Sequence, residues 1–417
     1  MRRKLNIMAG DKALWVIFFL LSGVSLVAVY STIGLSAISD LNSTPMRIFC
    51  RHLGFVVATY IAVVLLSHVN YRRFAPLSKW VLYLSLIALV IVLIMGTDRW
   101  LVIPHVARFE PSEIAKVALL VFMSFKIAVN KDPVDDNRTF FKLLIPAFIT
   151  CVLVTPANLS TGILIFTSCY LLLLFGGVNP KLWWKCLLIL LAIVTVAFLF
   201  FYFVGSHIDA GRIPTWSHRL QSWVHPNPDE LTQENMARMA VARGGFLGNG
   251  IGTTIHGRLM TQAHNDFIFA IIIEEAGLLS AIGIFALYAW FYFRCIRIAT
   301  ACKGQFGSLC VAGIGTLILL QAIINISVAV GLLPVTGQTL PFISYGGSAY
   351  FFLGLGLGVI QAVAFDNKKQ ARKQKKDSDK QVSQHSDKQT DRNAGDSHTN
   401  TKTSPESGQT SLNTQQI

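Results

Sequence analysis

The chain has 417 residues, 53% of them hydrophobic and only 14% charged. Soluble domains carry about a quarter charged residues, so this composition excludes an ordinary soluble fold and indicates an integral membrane protein with many crossings. The net charge of +14 does not mark a polyanion-binding surface, because ten Lys and Arg follow Phe365 and most others sit in short loops on one side. That is the positive-inside pattern, and no nucleic-acid partner is expected.

The basic N-terminus and the apolar run Ala13 to Tyr30 look like a signal peptide. The run exceeds an h-region of about 7 to 15 residues and reads as a retained first helix. Ten spans are expected, at about 13–32, 53–69, 80–95, 112–129, 143–156, 160–177, 183–204, 266–292, 308–333 and 341–365, making an all-α polytopic protein. Lys and Arg gather after even-numbered spans: Arg72, Arg73 and Lys79; Lys131, Arg138 and Lys142; Lys181 and Lys185; Arg294, Arg297 and Lys303. Both termini are therefore expected in the cytoplasm.

The fourth span, "FEPSEIAKVALLVF", places Pro111 in a first helical turn and Glu113 and Lys116 on one face. An intrahelical ion pair with a snorkelling lysine is the bland reading, and two charges in a water-filled cavity is the functional one. Residues 205–265 form a large extracytoplasmic loop holding five of the ten histidines and Arg212, Arg219, Arg238, Arg243 and Arg258. Its Trp216, Trp223, Phe246 and glycine-rich "RGGFLGNGIG" predict partial order at the membrane interface.

"HNDFIFAIIIEEAG" then sets three acids on one apolar helix. Asp266 stands at the mouth, where an N-cap is the structural alternative to a catalytic role. Glu274 and Glu275 point about 100° apart, so at least one needs a polar cavity or a basic partner. In the ninth span Gln321 and Asn325 lie four apart and suit interhelical hydrogen bonds. The tenth has Gly354 and Gly358 in close-packing spacing, preceded by Ser344, Tyr345, Gly346 and Gly347, a flexible hydroxyl-bearing stretch that can bind an anion. Seven cysteines without metal-ligand spacing read as packing residues. The membrane unit covers residues 1–366, and the polar tail 367–417 lacks the apolar content to pack and is expected to be disordered in the cytoplasm.

Together "FEPSEIAK", "ARGGFLGNGIG", "HNDFIFAIIIEEAG" and "GLLPVTGQTLPFISYGGS" resemble the SEDS family (shape, elongation, division and sporulation) over about residues 10 to 365. "PANLSTG" and the loop closing the ninth span are more similar to the division, FtsW-type members than to the elongation, RodA-type ones. The resemblance implies a ten-helix glycosyltransferase of the inner membrane, enriched at the division septum, that polymerises lipid II into peptidoglycan strands. Its implied partners are a class B penicillin-binding protein and other division proteins. The family's essential aspartate falls on Asp266, and its Glu and Lys on Glu113 and Lys116, the three catalytic candidates. Three departures stand out: a shortened "GTD" before Arg99 and Trp100, Asn158 in place of an acid, and Thr336 in place of a lysine.

In the implied reaction the GlcNAc 4-hydroxyl attacks the anomeric carbon of the growing chain and undecaprenyl pyrophosphate leaves. Asp266 is the candidate general base. Substrate-binding candidates are Arg99, Arg243, Glu274, Ser344, Tyr345 and Gly346. No cofactor is expected to be tightly bound and no metal cage is visible; a divalent cation, Mg²⁺ or Mn²⁺, would be shared with the substrate pyrophosphate. Two other readings stay open. A lipid II flippase would show paired internal repeats, which are not seen, and a silent scaffold would not need Asp266, Glu113 and Lys116.

Overall fold

The computed structural model describes residues 8–39, 45–95, 100–103, 107–130, 137–205, 208, 213–227, 230, 232–260 and 263–399. Seven apolar helices come first: α1 (Lys12–Ser39), α2 (Pro45–Ser67), α3 (Phe74–Met95), α4 (Pro111–Val129), α5 (Asn137–Val154), α6 (Leu159–Phe175) and α7 (Pro180–Phe203). The large loop contains three shorter helices, α8 (Ile213–Val224), α9 (Gln233–Gly244) and α10 (His256–Leu259). Three more long helices follow, α11 (Ile268–Thr300), α12 (Gln305–Ala329) and α13 (Gly347–Thr399). A two-stranded antiparallel hairpin, β1 (Leu101–Ile103) and β2 (Ala107–Phe109), leads from α3 into α4.

Among the described residues, eight helices are long and apolar enough to cross a membrane. The two other expected spans fall short for visible reasons. Helix α4 carries Glu113, Lys116 and Lys126, and α6 has 17 residues. Both are nevertheless central, since α4 packs on α3 and α12 and α6 packs on α5 and α12. Glu113 and Lys116 are tolerated because they neutralise each other inside the bundle, and Lys126 is exposed in the last turn.

Burial separates helices that meet protein from helices that meet lipid. Trp15 of α1 is 0% exposed and its indole donates to the Ala9 carbonyl at 2.8 Å, so the first helix is part of the core. Asp11 caps that helix through the Ala13 and Leu14 amides at 2.9 and 3.2 Å and also pairs with Arg294 of α11. By contrast α7 buries only Trp183, and most of its Leu, Ile, Val and Phe side chains are exposed. An apolar face left uncovered along most of a helix this long belongs in lipid.

The chain divides into two compact units, Met1–Asn367 and Lys368–Ile417. The second was expected to be disordered, yet its backbone is helical as far as Thr399. Between Asp366 and Ala394 the sequence has no Gly or Pro and is rich in Lys and Gln, which favour a helix by propensity alone. Side chains 371–379 of that unit are exposed.

Candidate active site

Helix α11 is two helices joined at a break. Gly277 has φ 74° and ψ 179°, and the freed amides of Leu278 and Leu279 donate to the carbonyls of Gly245 and Phe246 at 3.0 and 3.3 Å. In return the amides of Asn249 and Gly250 donate to the carbonyls of Glu274 and Glu275 at 3.1 and 2.9 Å. The glycine-rich loop thus supplies the hydrogen bonds that the helix gives up. A Cβ on Gly277 would lie 2.3 Å from the Phe246 oxygen, and one on Gly248 2.2 Å from the Glu275 oxygen. No other residue fits either contact.

The two inner acids complete this splice. Glu274 is fully buried, and its carboxylate accepts from Thr254 Oγ1 at 2.5 Å, Arg243 Nη1 at 2.9 Å and the Ile255 amide at 3.2 Å. His256 Nδ1 stands 2.9 Å from the same carboxylate. Glu275 accepts from Ser31 of α1 and from the Gly252 amide at 3.1 Å. Both carboxylates therefore bind the loop. Glu274 and Arg243, candidates for substrate binding, are committed to each other and to residues 254–256.

Asp266 is arranged differently. The N-cap of α11 is Phe267, so Asp266 precedes the cap position that its residue type suggested. Its side chain is half-buried. Three consecutive carbonyls of its turn are each held from outside the turn: His264 O by the Tyr345 amide at 2.9 Å, Asn265 O by Ser344 Oγ at 2.6 Å, and Asp266 O by Asn325 Nδ2 at 2.9 Å. The backbone carrying this carboxylate is gripped residue by residue.

The gripping segment, residues 338–345, is itself fastened to several helices. Gln338 O accepts from Asn325 Nδ2 at 2.7 Å, and Gln338 Nε2 donates to Thr161 of α6 at 2.7 Å. Thr339 O accepts from Gln321 Nε2 at 2.9 Å, and Pro341 O accepts from the Tyr288 hydroxyl. Ser344 and Tyr345, expected as part of an anion-binding stretch, frame the turn through the Ser344 hydroxyl and the Tyr345 backbone amide. Gly346 begins the helical register, its carbonyl accepting from the Tyr350 amide at 2.7 Å.

Lys116 enters this framework through Gln321. Its Nζ donates to Gln321 Oε1 at 3.0 Å and lies 2.8 Å from both carboxylate oxygens of Glu113. The lysine side chain is 0% exposed and the glutamate 8%. The intrahelical pair is present, but the lysine does not snorkel; it is sealed in the bundle. Its contacts run to Gln321 and onward to Thr339, not outward to an open site. Of the remaining candidates, Arg99 lies outside the described residues. Among the described residues no three His, Cys, Asp or Glu side chains are grouped to hold a metal.

Of the residues the structure joins around the turn, Asp266, Glu113, Lys116, Gln321 and Asn325 are singled out by the sequence, whereas Gln338, Thr339 and Tyr288 are not. Their signal was polarity inside or beside apolar spans, where an unpaired group is costly.

A family model described as a cell cycle protein, FtsW/RodA/SpoVE, matches residues 11–369. The chain belongs to this family. Among its relatives, a probable peptidoglycan glycosyltransferase FtsW of Thiomonas intermedia is 32% identical over 85% of this chain and 88% of its own. A protein of the same description from Buchnera aphidicola is 30% identical over 88% of this chain and 96% of its own. The division-type likeness of the "PANLSTG" region agrees with these FtsW relatives. In fold, the family member also resembles a chain of a peptidoglycan synthase complex that couples polymerization and crosslinking, with TM-score 0.68, 23% identity and 86% and 99% coverage of the two chains. Thermus thermophilus RodA superposes with TM-score 0.61 at 21% identity, covering 86% of this chain and 98% of that one.

Proposed function

We propose that this chain is a peptidoglycan glycosyltransferase of cell division that polymerises lipid II, with Asp266 as the general base. The observation that carries the reading is the turn 264–266, whose three carbonyls are all held while the Asp266 carboxylate stands half-buried beside the helix mouth. Such a turn fixes where a base sits relative to an incoming hydroxyl, and orientation of this kind lowers a barrier by removing entropy in advance.

In the proposed step the GlcNAc 4-hydroxyl gives its proton to Asp266 as its oxygen bonds to the anomeric carbon of the growing chain. The bond from that carbon to the pyrophosphate oxygen breaks, and undecaprenyl pyrophosphate departs with the electron pair. Base and hydroxyl must approach to about 2.6–3.2 Å. Positive charge near the leaving group is assigned to the exposed loop arginines, among them Arg219, whose Nη1 reaches the Val335 carbonyl at 3.4 Å. Lys116 acts on the framework of the site. A class B penicillin-binding protein as partner, septal enrichment and cytoplasmic termini belong to the same proposal.

The test is synthesis of glycan from labelled lipid II by purified protein, alone and with a class B partner, with and without Mg²⁺. Asp266→Asn keeps size and polarity but cannot usefully take up a proton. Polymerisation should fall by about 10² to 10⁴. An Asn variant that polymerises at the wild-type rate would remove Asp266 from the chemistry.

A further inference from the structure

Two polar side chains inside the bundle belong to none of the contacts assigned so far. Ser25 of α1 and His52 of α2 are both 0% exposed. Ser25 Oγ lies 2.8 Å from His52 Nε2 and 2.7 Å from the Ile343 carbonyl. A carbonyl only accepts, so the single hydroxyl proton of Ser25 goes to Ile343. The oxygen must then accept from the ring, and Nε2 carries a hydrogen. His52 Nδ1 is left buried with no hydrogen-bond partner. An unpaired buried acceptor is destabilising, so packing alone does not account for an imidazole here.

The object held is a strained piece of chain. Phe342 has φ 59°, a left-handed conformation that a bulky side chain rarely adopts. Its ring packs on Phe18 and Tyr350 with centroids 5.3 and 5.8 Å away. The reversal at Phe342 sends the Pro341 carbonyl to Tyr288 and the Ile343 carbonyl to Ser25. It thereby delivers Ser344 and Tyr345 to the carbonyls of Asn265 and His264. A second path runs through rings: Tyr345 lies 5.5 Å from His52 and 5.3 Å from His264. Strain of this kind persists only where the surroundings over-determine it, and it collects at functional sites.

We propose that Ser25 and His52 form a positioning unit for Asp266, acting through Ile343, Ser344 and Tyr345 on the turn 264–266. The proposal rests on the reading of Asp266 as the base. Neither residue touches substrate; together they set where the carboxylate stands.

The experiment is steady-state polymerisation of lipid II by Ser25→Ala, His52→Leu and His52→Gln proteins, each also in the Asp266→Asn background. A turn that shifts costs turnover more than affinity, so kcat should fall about ten- to a hundredfold in Ser25→Ala and His52→Leu, with KM little changed. Gln offers an amide N–H close to where Nε2 lies, and His52→Gln should recover most of the rate. In the Asp266→Asn background the same substitutions should cause no further loss, because the group they position is gone. Wild-type kcat in Ser25→Ala overturns the proposal, as does a loss that Gln fails to recover or that persists undiminished in the Asp266→Asn background. Should His52→Leu not fold, Ser25→Ala decides alone, since it deletes one oxygen. A fully active Asp266→Asn protein refutes the base itself, whereas an inactive one beside a normal Ser25→Ala refutes only the positioning.

Discussion

Asn325 holds Asp266 from the side of α12, its amide nitrogen donating to the Asp266 carbonyl at 2.9 Å. The same nitrogen donates to Gln338 at 2.7 Å, so one side chain joins the turn to the segment that frames it. Its Oδ1 is buried without a hydrogen-bond partner. The helix gives up an acceptor in order to place two donors, which identifies donation as the function of this residue.

Asn325→Asp tests that identification. The substitution preserves shape but presents carboxylate oxygens to two carbonyls that need donors. Each buried carbonyl left unpaired costs about 1–3 kcal/mol. The expected outcome is a lower melting temperature in detergent and at least about tenfold slower polymerisation, in the range for a misplaced catalytic group. A variant matching the wild type in both measurements would show that other contacts hold the turn.

Lys116 and Glu113 pose a separate question, because a buried ion pair is a demanding element in an apolar bundle. Lys116→Gln leaves the Glu113 carboxylate buried without its counter-charge, a loss of about 3–5 kcal/mol. Adding Glu113→Gln removes that charge, and the double variant should regain much of the stability. Polymerisation should stay depressed in both, since the ammonium that anchors Gln321 beside Thr339 is absent from both. Melting temperatures and rates for the two proteins decide the matter. A single variant as stable as wild type would mean that the pair carries no structural load.

The positions of the spans were legible because apolar runs long enough for a bilayer have few other uses. Asp266 was legible as an acid where a polar loop meets an apolar helix. What could not be read was partnership. Asn325 meets Asp266 across 59 residues, and Lys116 meets Gln321 across 205. No local pattern encodes such pairs. The break at Gly277 was hidden for a related reason: a single glycine in a helix is tolerable, and only the loop inserted against it shows that the helix ends and restarts there. The three acids of this stretch therefore divide by place, with Glu274 and Glu275 inside α11 fastening the loop and Asp266 in the turn before it.

Glu274 gives a prediction that separates its two readings. As a loop fastener, Glu274→Gln loses charge-assisted bonds to Arg243 and Thr254, each worth about 1.5–3 kcal/mol. Residues 244–258 should then open, and trypsin should cut after Arg243 or Arg258 much faster than in the wild type. A substrate-binding role would leave proteolysis unchanged and raise KM for lipid II. Gly248→Ala, which forces a Cβ to 2.2 Å from the Glu275 oxygen, should reproduce the proteolytic phenotype with the carboxylate intact.

The turn also carries a titratable group of its own. His264 directly precedes Asn265 and Asp266, and its ring meets Tyr345 edge to face at 5.3 Å. Burial pushes its imidazole below the ordinary value of 6.5, because the charged form is disfavoured away from water. The unfolded chain takes up this proton near 6.5 while the folded protein resists it. Below that pH the unfolded state binds more protons, so stability falls with acidification. The contribution is fully present above 6.5 and is lost as the pH drops towards the depressed folded value. Melting temperature in detergent should therefore decline between about pH 7.5 and pH 5.5, and His264→Asn, which cannot titrate, should decline less steeply. Comparing the two slopes isolates this residue from every other acid and base in the chain. Parallel slopes would show that His264 keeps its proton equilibrium on folding, and the turn would then owe its acid sensitivity to another group.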